Sequence, residues 1–123
     1  MIKNFSKSLH FTIFVMLLLP ISFSSNAGWA GNLEVKKMFG NSTIFFGVNI
    51  PPSDTCDYHG RDFIFDATTE GGKNMLSMLI AAYMADKKVD VWYTSSSLPG
   101  TTDKNGCNRN TMAVMTQVGF SEE

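Results

Sequence analysis

The chain has 123 residues, a formal charge of −1, 44% hydrophobic residues and two cysteines. That length fits one domain and leaves no room for several. With no basic patch, the electrostatic footprint of a nucleic-acid binder is absent.

Residues 1–27 read as a signal peptide. Lys3 and Lys7 give a basic start, Phe11 to Leu19 an apolar run, and Pro20 breaks that run. Ser25-Asn26-Ala27 then offers small residues where a signal peptidase cuts. The apolar run is about half the ~20 residues a bilayer-spanning helix needs, so export with cleavage is expected and membrane insertion is not. No cysteine follows it for lipid attachment. The remaining domain, 28–123, has eight basic residues against eleven acidic ones. It is expected in the periplasm or outside the cell. A domain this small buries only about 60–65% of its unfolded surface, so a staple is expected. Cys56 and Cys107 supply it as one disulfide in an oxidising compartment. A metal or redox site fits poorly, because there is no Cys-x-x-Cys and one histidine remains after cleavage. The bridge encloses about 52 residues, which chain entropy credits with roughly 4 kcal/mol.

The first β segment is read from Asn32 to Phe39, followed by Gly40-Asn41 and a second run from Ser42 to Ile50. Two β-prone runs around a Gly-Asn pair predict a hairpin. Asn41-Ser42-Thr43 matches a glycosylation pattern but sits in that turn and is taken as accidental. In the second run Ile44, Phe46, Val48 and Ile50 share one face, so one side is expected on a core. Pro51-Pro52 ends the strand. The polar loop from Cys56 to Asp62 leads to a short third strand, Phe63 to Ala67, with Phe63 and Phe65 inward. Thr68 or Thr69 then caps a helix running to Ala85, although Gly71-Gly72 weakens its first turn. From Met75 to Ala85 every residue except Ser77 is apolar or small. Such a helix is expected to be covered on more than one side. Either loops close over it within a monomer, or Met75, Met78, Ala82 and Tyr83 form a subunit interface in a ring or dimer. Val89 to Thr94 alternates as a fourth strand, with Val89, Val91 and Tyr93 together. A long loop, Ser95 to Asn110, follows, of a length that is functional or pinned. The last strand, Thr111 to Phe120, is expected to place Met112, Val114, Thr116, Val118 and Phe120 in phase.

The fold class expected is α+β, mainly β: a five-stranded OB-like barrel with one helix between strands 3 and 4. The lone helix, the Asp86-Lys87-Lys88 turn and the Val89-Asp90-Val91-Trp92-Tyr93 strand resemble the receptor-binding B subunits of bacterial AB-type toxins, the subtilase cytotoxin and cholera toxin groups. That resemblance implies a ring of subunits with glycan-binding loops, but no sugar-binding motif maps onto a residue of this chain. The segment Phe65-Asp66-Ala67-Thr68-Thr69-Glu70-Gly71-Gly72-Lys73 also resembles small exported bacterial proteins without an assigned role.

Chemistry is sparse. His59 has Asp57, Asp62 and Asp66 near in sequence, but no Gly-x-Ser-x-Gly elbow accompanies it, and no catalytic residue is assigned. Asp54, Asp57 and Asp62 lack calcium-loop spacing, and no phosphate loop is present, so neither metal nor cofactor is expected. Binding is better supported. The bridge ties the Cys56 to Asp62 loop to the Ser95 to Asn110 loop, presenting Tyr58, His59, Arg61, Asn105, Asn108 and Arg109 on one polar surface. Planar polar groups beside an aromatic ring suit a sugar. The expectation is an exported, non-enzymatic module for a glycan or cell-surface ligand. The alternative is a small periplasmic inhibitor or immunity-type protein that binds a partner enzyme.

Overall fold

A computed structural model of the chain describes residues 27–122. Apart from Ala27, the expected signal peptide lies outside them. The elements run β1 (Ala27–Leu33), β2 (Val35–Gly40), β3 (Thr43–Val48), β4 (Phe63–Asp66), α1 (Glu70–Ala85), β5 (Val89–Thr94) and β6 (Ala113–Phe120). All six strands share one sheet, ordered β1-β5-β6-β4-β3-β2. Only the β4–β6 pair is parallel. The mainly-β class holds, with one helix among the described residues. The five-stranded OB-like barrel does not: among the described residues there are six strands in one sheet, and no hydrogen-bonded ladder joins β1 to β2.

The reason is local. Asn32 adopts a left-handed φ of 56°, and the β1–β5 register shifts between Ala30 and Leu33. What reads in sequence as the start of one strand is therefore the junction between two. β1 was illegible because Ala-Gly-Trp-Ala-Gly lacks the β-branched residues that mark strands.

β1 and β2 are separated only by Glu34, yet they occupy opposite edges of the sheet. Leu33 pairs with Val89 while Val35 pairs with Val48. Two residues of chain span at most about 7 Å. Six strands laid flat would hold their edges about 24 Å apart. The sheet must therefore roll, and its concave side becomes the core. Phe46, Phe63, Val89, Val91 and Met115 fill it, with Leu79 of α1 above them.

β3 departs from the expected single buried face. Ile44, Phe46 and Val48 point into the core, but Phe45 and Gly47 are buried as well, while Ile50 is exposed beyond the strand end. A second cluster of Phe45, Cys56, Cys107 and Met112 covers the outer side. β6 departs too. A register shift sets Trp92 opposite Gln117 but Tyr93 opposite Met115, skipping Thr116. That bulge inverts the phase, so Ala113 and Met115 are core, Val114 is exposed, and Met112 joins the outer cluster.

Asp66 turns β4 toward the helix by accepting from Thr68 Oγ1 at 2.6 Å and Thr68 N at 2.8 Å. Thr69 then caps α1, its Oγ1 accepting from Gly72 N at 2.9 Å. Asp86 closes the far end in a left-handed conformation where glycine is usual. Only Gly72, Leu79 and Ala82 of α1 are buried. The expectation of cover on more than one side fails within the chain: Ile80, Tyr83 and Met84 are 47%, 56% and 78% exposed. Ala82, 1% exposed, belongs to the core and is not available as an interface residue. Met75 and Met78 are half-buried, leaving Tyr83 as the openly exposed member of the four.

The paired glycines of the first turn have opposite roles. A Cβ on Gly72 would stand 1.8 Å from the Asp66 carbonyl oxygen, whereas one on Gly71 would meet nothing within 4 Å. Gly72→Ala should lose about 1–3 kcal/mol to forced backbone movement. Gly71→Ala should gain about 0.5 kcal/mol by restricting the unfolded chain. Urea midpoints at unchanged slope give both signs.

Candidate functional site

The Cys56–Cys107 bridge is formed, with Cα atoms 5.8 Å apart, and both cysteines are buried. Around it the two long loops are laced by backbone bonds. Asp57 N donates to Thr101 O at 2.9 Å, Gly100 N to Thr55 O at 2.9 Å and Ser96 N to Asp54 O at 2.9 Å. At the β5 end Asp54 accepts from Tyr93 OH at 2.7 Å and Ser95 Oγ at 2.8 Å. Burial opposes its charge, but those bonds and its own backbone amide outweigh it and hold the carboxyl below its ordinary range. The same burial, with the bond to Asp54 and its charge, pushes the Tyr93 phenol well up.

Tyr58 to Arg61 forms a two-residue hairpin, closed by Tyr58 N to Arg61 O at 2.9 Å and Arg61 N to Tyr58 O at 3.0 Å. His59 and Gly60 take φ of 52° and 82°, the double left-handed turn such a hairpin requires. It lies on the outer face of β3, where Gly47 makes room: a Cβ there would stand 2.3 Å from Gly60 O.

The hairpin side chains finish an aromatic series. Phe39 stacks on Phe45 at 4.7 Å, Phe45 meets Tyr58 at 5.7 Å, and Tyr58 meets His59 edge-on at 4.6 Å. The Arg61 guanidinium lies 4.6 Å over the Phe39 ring and also donates to His59 O. Its Nε is buried without a hydrogen-bond partner among the described residues. His59 Nδ1 lies 3.4 Å from Asp103 Oδ2, an ion pair whenever the imidazole is protonated. A histidine oriented by a carboxylate is part of a hydrolytic triad, but no hydroxyl bonds to its other nitrogen among the described residues.

Tyr58, His59 and Arg61 are thus brought together. Arg109 stands apart from them, its Nη2 3.3 Å from Thr43 Oγ1, on a cleft of about 360 Å³ that also touches Phe39 and Phe45. Asn105 and Asn108 serve the loop itself. Asn105 Oδ1 accepts from Thr102 N at 2.5 Å, and Asn108 Oδ1 accepts from Asn110 N at 2.8 Å while its amide donates to Gly106 O at 3.1 Å. The sequence reading missed Phe39 and Asp103. Phe39 follows Lys37 at spacing two in a strand whose Met38 packs on the core, and that phase was the available signal.

Beneath the hairpin, Asp62 is 6% exposed and accepts from Val48 N at 3.0 Å. Among the described residues no group of three or more His, Cys, Asp or Glu is placed to hold a metal, and no helix is long and apolar enough to cross a membrane. Compared with protein-family models, curated proteins and solved structures, the chain has no match.

Burial pushes the Asp62 carboxyl up to about 6; the Val48 amide opposes this and the Asp57 charge adds to it. The unfolded value is near 4, so between about pH 4 and 6 the folded chain holds a proton that the unfolded chain has released. Stability from this group is complete below about pH 4 and is lost as pH rises through about 6. Asp62→Asn removes the titration yet keeps an oxygen for Val48 N. The variant should gain on the parent as pH rises from 4 to 7, by up to about 3 kcal/mol, in paired urea titrations.

Proposed function

We propose that the chain is an exported, non-enzymatic binding module that recognises a glycan or another cell-surface ligand through its loop face. The contact surface would be Tyr58, His59 and Arg61, with Phe39 beside them and Arg109 at the margin. One observation carries this reading: a guanidinium lies over a continued aromatic series, on loops cross-linked by a buried disulfide. Rings offer a surface for the C–H face of a sugar, and forked donors suit its hydroxyl or carboxylate oxygens. A surface already ordered by its own backbone bonds loses little entropy on binding. That favours recognition of a small polar ligand.

The finer fold reading belongs here. Counted as one bent ribbon, Ala27 to Gly40 contributes to both edges of the sheet, leaving five chain segments with the helix between the third and fourth. That layout supports an OB-like barrel closed through the chain and not through a ladder. The likeness to toxin B subunits rests on this layout alone. The open side of α1, with Ile80, Tyr83 and Met84, supports assembly into a ring or dimer.

Purified protein on a glycan array should bind a defined subset, and Arg61→Ala or Tyr58→Ala should weaken that binding at least tenfold, with circular dichroism unchanged. Capture of one tight exported enzyme with no glycan bound would favour the inhibitor reading. Assembly is checked separately by light scattering. A mass several times that of one chain is expected, and Tyr83→Glu should return it to the monomer value.

A further inference from the structure

Both tryptophans of the chain stand together on the outer side of the sheet. Trp29 on β1 and Trp92 on β5 are direct cross-strand partners. Their rings meet edge to face, with centroids 6.4 Å apart and planes at 61°, while 57% and 40% of their surfaces remain open. None of the loop-face residues takes part. β1 leaves room for the arrangement: a Cβ on Gly31 would come within 2.7 Å of the Trp29 ring.

Beside Trp92 lies a cleft of about 490 Å³, bounded by Gly71, Met75, Thr116, Gln117 and Gly119. Cβ atoms built on Gly71 or Gly119 would enter open space, so neither position closes the cleft. Gln117 faces Trp92 across the β5–β6 pair, and its side-chain amide has no partner among the described residues. Thr116 Oγ1 donates to Trp92 O at 3.1 Å and keeps its lone pairs available. On the Trp29 side, Asp90 Oδ1 is fixed by Ser121 Oγ at 2.6 Å and Asn32 N at 3.1 Å.

We propose that this tryptophan pair and its cleft form a second ligand site, shaped for a ring of a neutral saccharide. A pyranose has a C–H face that an indole covers and a hydroxyl rim that an amide, a hydroxyl and a carboxylate can bond. Among the described residues no lysine or arginine borders the cleft, which gives phosphate- or carboxylate-bearing ligands no counter-charge there. The patch is a pair of rings with polar neighbours, smaller than the continuous apolar core of a stable protein interface.

Because the chain has no other tryptophan, intrinsic emission reports on this site alone. The protein is titrated with lactose, cellobiose, maltotriose, mannobiose and chitobiose into the tens of millimolar. At least one should give a saturable blue shift. Gly119→Gln, which fills the cleft without altering either indole, should weaken it at least tenfold, and Arg61→Ala on the loop face should leave it unchanged. Gly71→Gln fills the opposite side and serves should the first variant not fold. No saturable shift with any of these sugars overturns the proposal, as does a shift undiminished in the filled variants. Emission that follows protein concentration and not sugar also overturns it, by assigning the pair to a contact between copies. Any of these failures leaves the loop-face reading intact, since that reading is tested on the array through Arg61 and Tyr58.

Discussion

A single residue governs the architecture. Leu33 ends its pairing with β5 and Val35 begins its pairing with β3, and only Glu34 lies between. The chain can cross from one edge of the sheet to the other in that distance only if the sheet is rolled. Rolling sets inside and outside for every strand. Leu33 and Val35 are both buried, so the junction is also a fixed point of the core. The left-handed Asn32 that makes the turn is held by Asp90 Oδ1 and Ser121 Oγ, both accepting from its backbone N–H. That ties the bend to β5 and to the chain leaving β6.

With the concave side filled by Phe46, Phe63, Val91 and Met115, further side chains must be accommodated outside. On β3 and β4 this is achieved by a second, smaller core in which the disulfide packs with Phe45 and Met112. The bridge thus closes a loop in the unfolded chain and covers the outer sheet face in the folded one. The covering hairpin brings Asp62 into poor solvation, with the Val48 amide as the compensating donor among the described residues. The ionised carboxylate there costs stability at neutral pH, a local consequence of ending β3 beneath a loop.

Much of this was legible in the chain and some was not, for identifiable reasons. The helix, its Thr69 cap, the Cys56–Cys107 pairing and the inward Phe63 and Phe65 follow from local rules of capping, spacing and alternation. Alternation failed wherever a bulge intervened: at Thr116 it exchanged Val114 for Met115 in the core. It also failed on β3, because a period of two cannot say that a distant loop will return to cover the second face. At the loop site Tyr58, His59 and Arg61 could be proposed from their shared hairpin. Phe39 was signalled only by its phase opposite the core-packed Met38, since Arg61 reaches its ring from a segment distant in sequence. The fate of the helix was misjudged for a different reason. An apolar circumference tells how much surface seeks cover, not whether this chain supplies it.

Exposed aromatic residues are therefore the informative ones. Phe45 and Phe39 lie on the same outer side, and loops bury the first and shield part of the second. Trp29 and Trp92 are left 57% and 40% exposed, the second about as open as Phe39. A tryptophan side chain offers roughly 200 Å² to burial, so leaving about half of it in water forgoes on the order of 2 kcal/mol per ring. As a cross-strand pair the two indoles contribute about 0.2–1 kcal/mol to the sheet, less than the burial they forgo. Their unrealised burial is free energy available to whatever covers them, and a polar rim of Gln117, Thr116 and Asp90 restricts which surface can do so without leaving hydrogen-bonding groups unmatched.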